Sequence, residues 1–129
     1  MRVLIVNTSE RMGGAAVAAN RLVDALNNNG VKAKMLVRDK ETQDITVVGL
    51  PRSPLLRWRF LWERWCIFCR LHFSKRHLWE IDTACMGNDI TKLREFKEAD
   101  VIHLSWVNQG MLSLKGIRKI LNSGKAVVW

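Results

Sequence analysis

The chain has 129 residues, 48% of them hydrophobic and only two of them proline, which suits one globular domain and excludes a disordered chain. No uncharged stretch in its Trp-rich middle is longer than Trp65 to Cys69, far short of the ~20 apolar residues of a membrane span. A net charge of +9 calls for an anionic partner, and three cysteines without a signal-peptide pattern after Met1 point to a reducing cytoplasm.

The apolar run Val3 to Val6 reads as a buried strand. A polar loop follows, and Gly13-Gly14 open an alanine-rich helix over about Gly14 to Asn28, with Ala15, Ala18, Ala19, Leu22, Val23, Ala25 and Leu26 on its apolar stripe. Asn27-Asn28-Asn29-Gly30 is its stop signal. Val31 to Val37 reads as a second strand and Ile45 to Leu50 as a third. Ser53-Pro54 starts a helix, serine capping and proline in the first turn, and Leu55 to Trp79 forms one long helix or two short ones with a basic face of Arg57, Arg64, Arg70 and Lys75. Glu80 to Asn88 is a loop, Asp89 caps a short helix through Leu93 to Phe96, and Ala99 to Leu104 is a buried strand. Ser105 to Gly110 is a loop, Leu112 to Leu121 a helix, and Lys125 to Trp129 a further strand. The alternation predicts an α/β fold: a Rossmann-like parallel sheet with helices on both faces.

The glycine turn is the first place to look for function. Helix N-termini carry unpaired N–H groups and partial positive charge, which suits a phosphate. The dinucleotide fingerprint wants three glycines soon after the strand; here two come seven positions past Val6, although Asp39 stands where a ribose-binding acid would. No Gly-Lys-Ser/Thr follows, so this is no P-loop. A plain turn needing glycine for positive φ is the other reading. His103, Ser105, Trp106 and Asn108 lie at or near the carboxyl end of a strand, where open α/β sheets bind ligands. Cys66-Ile-Phe-Cys69, with His72 and His77 behind it, has redox-like spacing on the wrong element for either a thioredoxin motif or zinc, and no metal site is expected.

Residues 55–79 carry +5 of the net charge (Arg57, Arg59, Arg64, Arg70, Lys75 and Arg76 against Glu63) and four of six tryptophans, Trp58, Trp62, Trp65 and Trp79. Either this is a helix packed on the sheet with a solvated basic face, or Arg57, Trp58, Arg64 and Arg70 face an anionic membrane. Nucleic acid is not expected, since no recognised binding motif is present.

Gly13 to Gly30 (Gly-Gly-Ala-Ala-Val-Ala-Ala-Asn-Arg-Leu-Val-Asp-Ala-Leu-Asn-Asn-Asn-Gly) resembles the first loop and helix of glycosyltransferase family 4-like amino-terminal domains. Asp100 to Gly110 (Asp-Val-Ile-His-Leu-Ser-Trp-Val-Asn-Gln-Gly) resembles that family's fourth strand and following loop. The resemblance implies the amino-terminal half of a GT-B fold, in which this domain shapes the acceptor site and a second Rossmann-like domain holds the nucleotide-sugar. It implies a retaining transferase that moves a hexose to a glycan or lipid-linked acceptor without a metal cofactor. Gly13, Gly14 and Ala15 would approach the donor diphosphate, and His103, Ser105, Trp106 and Asn108 would line the acceptor side. The family's His-Asp segment and donor-site glutamates do not occur in these residues. The chain therefore reads as one domain, 1–129, of a longer protein, inactive alone and holding no catalytic residue itself. A dinucleotide-binding domain using Asp39, or a peripheral membrane module built on 55–79, are the alternatives.

Overall fold

The computed structural model describes residues 1–51, 53–78 and 80–129. Trp79, counted above in the Trp-rich segment, lies outside the described residues. Strands β1 (Arg2–Ser9), β2 (Lys32–Asp39), β3 (Val47–Gly49), β4 (Val101–Leu104) and β5 (Ala126–Val128) form one all-parallel sheet in the order β3-β2-β1-β4-β5. The expected α/β architecture is what the chain forms.

β1 is central, and its apolar run is buried from both sides because successive side chains point to opposite faces. Leu4 and Val6 join one core with Leu36, Phe96, Ile102 and Ile120. Val3 and Ile5 join the other with Ala19, Val23, Met35 and Val47. Helix α1 (Gly14–Asn28) covers the second face, and α3 (Arg94–Glu98) and α4 (Leu114–Leu121) cover the first. Each buried Leu, Ile or Val contributes about 2 kcal/mol of transfer free energy, so the two cores fix the sheet.

α1 has the predicted bounds, and Asn27 just before its end does a strand's work. Its Oδ1 accepts from the Ala33 N–H at 2.9 Å and its Nδ2 donates to the Ala33 carbonyl at 3.1 Å. The edge strands β3 and β5 have three residues each, shorter than the predicted runs, because each has a hydrogen-bonding neighbour on one side alone. β4 starts two residues later than predicted: Asp100 instead exchanges bonds with Arg2, its N–H donating to the Arg2 carbonyl at 2.9 Å and its carboxylate accepting from the Arg2 N–H at 2.7 Å.

Among the described residues of the expected Leu55–Trp79 segment there is one helix, α2 (Pro54–Arg70), ended where His72 and Phe73 take positive φ. Pro54 occupies the first turn as expected, but the Ser53 side chain makes no capping hydrogen bond. Asp89 caps a 3-10 turn at Ile90–Lys92 rather than α3, accepting from the Thr91 hydroxyl at 2.6 Å. Lys119 on α4 also donates to Asp89 at 2.6 Å, and these bonds together hold its carboxyl down at a pKa of about 2. α4 begins at Leu114 because Ser113 caps it, accepting from the Gly116 N–H at 3.0 Å, while Met111 and Leu112 drop into the core. Among the described residues no helix is long and apolar enough to cross a membrane.

Candidate functional site at the carboxyl rim of the sheet

From adjacent strands β1 and β4 the chain departs to opposite faces, α1 on one and α4 on the other. Open α/β sheets bind ligands at such a divergence, outside the carboxyl ends of the strands. Here the two loops are sewn together by a buried polar pair, Asn7 and Thr8. The Thr8 N–H donates to the Trp106 carbonyl at 2.7 Å, and its hydroxyl lies 2.8 Å from the carbonyls of both Trp106 and Asn108. Asn7 Oδ1 accepts from the Trp106 N–H at 3.0 Å, and the Ser105 N–H donates to the Val6 carbonyl at 3.0 Å. Buried backbone groups need such partners, and here they set one loop's position against the other.

The glycine turn is anchored below and open above. Buried Glu10 accepts from the Thr42 N–H at 2.9 Å and is also bonded by the Glu41 N–H and the Thr42 hydroxyl. Burial works against its charged form, but these bonds, with Lys40 nearby, outweigh it and hold Glu10 below the usual carboxyl range. Asn20 on α1 donates to the Glu10 carbonyl at 2.6 Å. Above this anchor Arg11 to Gly14 are exposed. Gly13 has φ 86° and ψ 165°, a region that side-chain-bearing residues avoid, and a Cβ on Gly13 or Gly14 would meet nothing within 4 Å. α1 has neither a side-chain cap nor an acid in its first turn. Its positive end is therefore left uncompensated beside open space. Ala15 is half-buried at the base of the turn.

Of the four residues expected on the acceptor side, three share the rim with the glycine turn. Trp106 is 50% exposed and Asn108 is exposed, while Ser105 is half-buried between them and β4. His103 sits apart, within β4, paired with Ile5 and so directed to the α1 face of the sheet. Its Nδ1 is buried with no hydrogen-bond partner among the described residues.

α2 closes the rim from outside. Phe60 packs onto Gly110, where a Cβ would stand 2.9 Å from its ring, and Gly110 itself needs glycine for its φ of 82°. The Arg38 guanidinium lies 5.5 Å and that of Arg64 5.2 Å from the Phe60 ring centre. Arg38 also donates to the Gln109 carbonyl, and the Gln109 N–H donates to Asp82. Glu63 accepts from the Thr83 hydroxyl.

These contacts correct the expectation for Arg64, which does not face outward. It is 5% exposed, donates to the carbonyls of Leu78 and Ile81 at 2.9 Å each, and stands 3.8 Å from Asp82. A buried guanidinium is tolerable when carbonyls and a carboxylate surround it, and here Leu78, Ile81 and Asp82 are clamped to α2 through it. The predicted single basic face is therefore absent. Arg57, Trp58 and Arg70 are exposed as expected, but the outer surface of α2 is apolar, with Trp58 72% exposed and Leu55, Leu61, Trp62 and Trp65 also exposed.

Asp39 ends β2 and is bonded by its neighbour Arg38, at 3.0 Å from Nε and 2.6 Å from Nη2. A cavity of about 350 Å³ lies at the opposite, amino-terminal end of the sheet, lined by Arg2, Asn27, Lys32, Thr46 and Glu98 among others. Cys66 and Cys69 are exposed free thiols on α2. Among the described residues no three His, Cys, Asp or Glu side chains gather as a metal site would require. Asn7, Thr8, Arg38, Phe60 and Asp82 are the rim residues that the sequence reading passed over. Only the polar Asn7-Thr8 pair straight after a buried strand offered a signal for any of them.

No protein-family model matches the chain, and no curated protein or solved structure matches it either.

Proposed function

We propose that the chain is the acceptor-side, amino-terminal domain of a GT-B glycosyltransferase of the family 4-like type, a retaining enzyme of polysaccharide biosynthesis that moves a hexose from a nucleotide-sugar to a glycan or lipid-linked acceptor. The observation that carries this reading is the shared carboxyl rim. An open glycine turn and the Ser105–Asn108 loop stand there side by side, joined through Asn7 and Thr8 in a sheet of order 3-2-1-4-5. On this reading the backbone N–H groups of Gly13, Gly14 and Ala15 take up charge on the leaving diphosphate, so no metal is needed. Trp106 stacks on the acceptor, Ser105 and Asn108 supply hydrogen bonds to it, and the unpartnered His103 nitrogen is held in reserve for a ligand or bound water. A second Rossmann-like domain supplies the nucleotide-sugar half, and these 129 residues alone transfer nothing. The location that goes with such an acceptor is cytoplasmic, at the inner face of a membrane.

Calorimetric titration with uridine, guanosine and adenosine diphosphates, and separately with NAD, tests the reading. The expected result is weak, millimolar binding of at least one diphosphate, lost in Gly13→Val and unchanged in Asp39→Asn. NAD binding that is tighter than any diphosphate and is lost in Asp39→Asn would replace this reading with a dinucleotide-binding domain. A chain that binds none of them would contradict it too.

A further inference from the structure

α2 is inverted relative to an ordinary surface helix. Its only acid, Glu63, and one of its arginines, Arg64, are buried, while Leu55, Trp58, Leu61, Trp62 and Trp65 are exposed. At ~100° per residue these five side chains fall within an arc of about 120° on the side away from Glu63, Arg64 and Ile67. Arg57 stands about 40° beyond one edge of the arc and Arg59 about 40° beyond the other, with Arg70 close to Arg59. All three are exposed. Outward-facing α2 thus carries a broad indole and leucine stripe bordered on both sides by cations, with no anion among them.

From this arrangement we infer that the outer face of α2 docks flat on an anionic bilayer surface. The charge border selects the occupant. Indole rings settle at the level of the headgroups, and arginines beside them reach lipid phosphates while their stems stay on the apolar side. α2 has 17 residues, about 25 Å of helix, and Pro54 and the His72-Phe73 break confine it to one straight segment. It therefore lies on the membrane rather than across it. Its inner face holds Phe60 against Gly110, so docking brings the Ser105–Gly110 rim to within roughly a helix diameter, ~10 Å, of the bilayer. The inference stands on this surface alone and does not need the glycosyltransferase reading.

Co-sedimentation of the 129-residue chain with vesicles tests it, comparing phosphatidylglycerol mixed into phosphatidylcholine with phosphatidylcholine alone. Binding is expected on the mixed vesicles, falling steeply with added salt, together with a blue shift of tryptophan emission. The triple variant Arg57→Glu, Arg59→Glu, Arg70→Glu should bind about 100-fold more weakly. Trp58→Ser, Trp62→Ser, Trp65→Ser should lose sedimentation while keeping its far-UV circular dichroism, since all three rings are exposed. An equal charge reversal on other elements, Lys92→Glu in the 3-10 turn with Lys115→Glu and Arg118→Glu on α4, should stay within about twofold of the parent. Failure to bind the mixed vesicles would overturn the inference. So would equal losses in the two charge variants, or a dimer in sedimentation equilibrium that dissociates in the Trp variant.

Discussion

α1 and α2 are helices of 15 and 17 residues on one small sheet, and they solve opposite problems. α1 turns alanine and valine inward, with Ala16, Ala19 and Val23 buried, and gives its charged groups, Arg21 and Asp24, to water. α2 turns Glu63, Arg64 and Ile67 inward and leaves three tryptophans outside. In α1 the hydrophobic effect seats the helix, and its amino-terminal turn is left uncapped and uncrowded. In α2 the seat is mostly a polar clamp, and the hydrophobic surface is kept for something other than the core. Helix identity and burial direction are thus separate questions, and only the first is answered by local sequence.

The largest expected effect separates the two sides of α2. Arg64→Ala takes the guanidinium from Asp82 and from the carbonyls of Leu78 and Ile81, and should cost about 3 kcal/mol in urea unfolding. Trp58→Ser, two turns away on the outside, should change stability by less than about 0.5 kcal/mol. If the two losses are alike, α2 is not inverted. Gly110→Ala is next, at about 2 kcal/mol, from positive φ and from collision with the Phe60 ring. The paired variant Gly110→Ala, Phe60→Leu should recover part of that loss, because only the steric half is relieved.

Gly13→Ala sharpens the comparison from the α1 side. No atom crowds that position, so only backbone strain remains and about 1 kcal/mol is expected, with loss of diphosphate binding out of proportion to the stability change. A further test lies at Asp89, away from both helices. Its pKa lies at about 2, below an ordinary value of 3.8, because the folded state favours the carboxylate through Lys119 and Thr91. That contribution is complete above the unfolded value and is lost as pH falls from about 4 towards 2. Asp89→Asn should flatten this stretch of the pH–stability curve and lower stability at neutral pH by about 1 kcal/mol or less.

The sheet was legible because its signals are local. Val3 to Val6, a short, mostly β-branched run ended by a polar loop, reads as a strand buried on both faces, and Gly13-Gly14 followed by alanines at helical spacing marks the start of α1. Strand ends were less legible where pairing decides them: β3 and β5 shorten because they are edges, which no single segment reveals. At the rim, Gly13 and Gly14 stand out as the opening of a helix, and Trp106 and Asn108 by their place just after a strand. Arg38, Phe60 and Asp82 were not, because their partners are up to 71 positions away in sequence. Arg64 was misread for the same reason. Helical spacing sets it near Arg57, and only the return of Leu78, Ile81 and Asp82 onto it decides that it is buried.

The proposal of two separate working surfaces is tested most directly by amide- and indole-resolved NMR of one labelled chain, titrated in turn with a nucleoside diphosphate and with anionic bicelles. The expected result is two disjoint sets of shifts. The diphosphate moves the amides of Gly13, Gly14 and Ala15 and the Trp106 indole, the bicelles move the indoles of Trp58, Trp62 and Trp65, and the Arg64 side chain responds directly to neither. One common set of moving signals, or an α1 turn unmoved by any diphosphate, would contradict it.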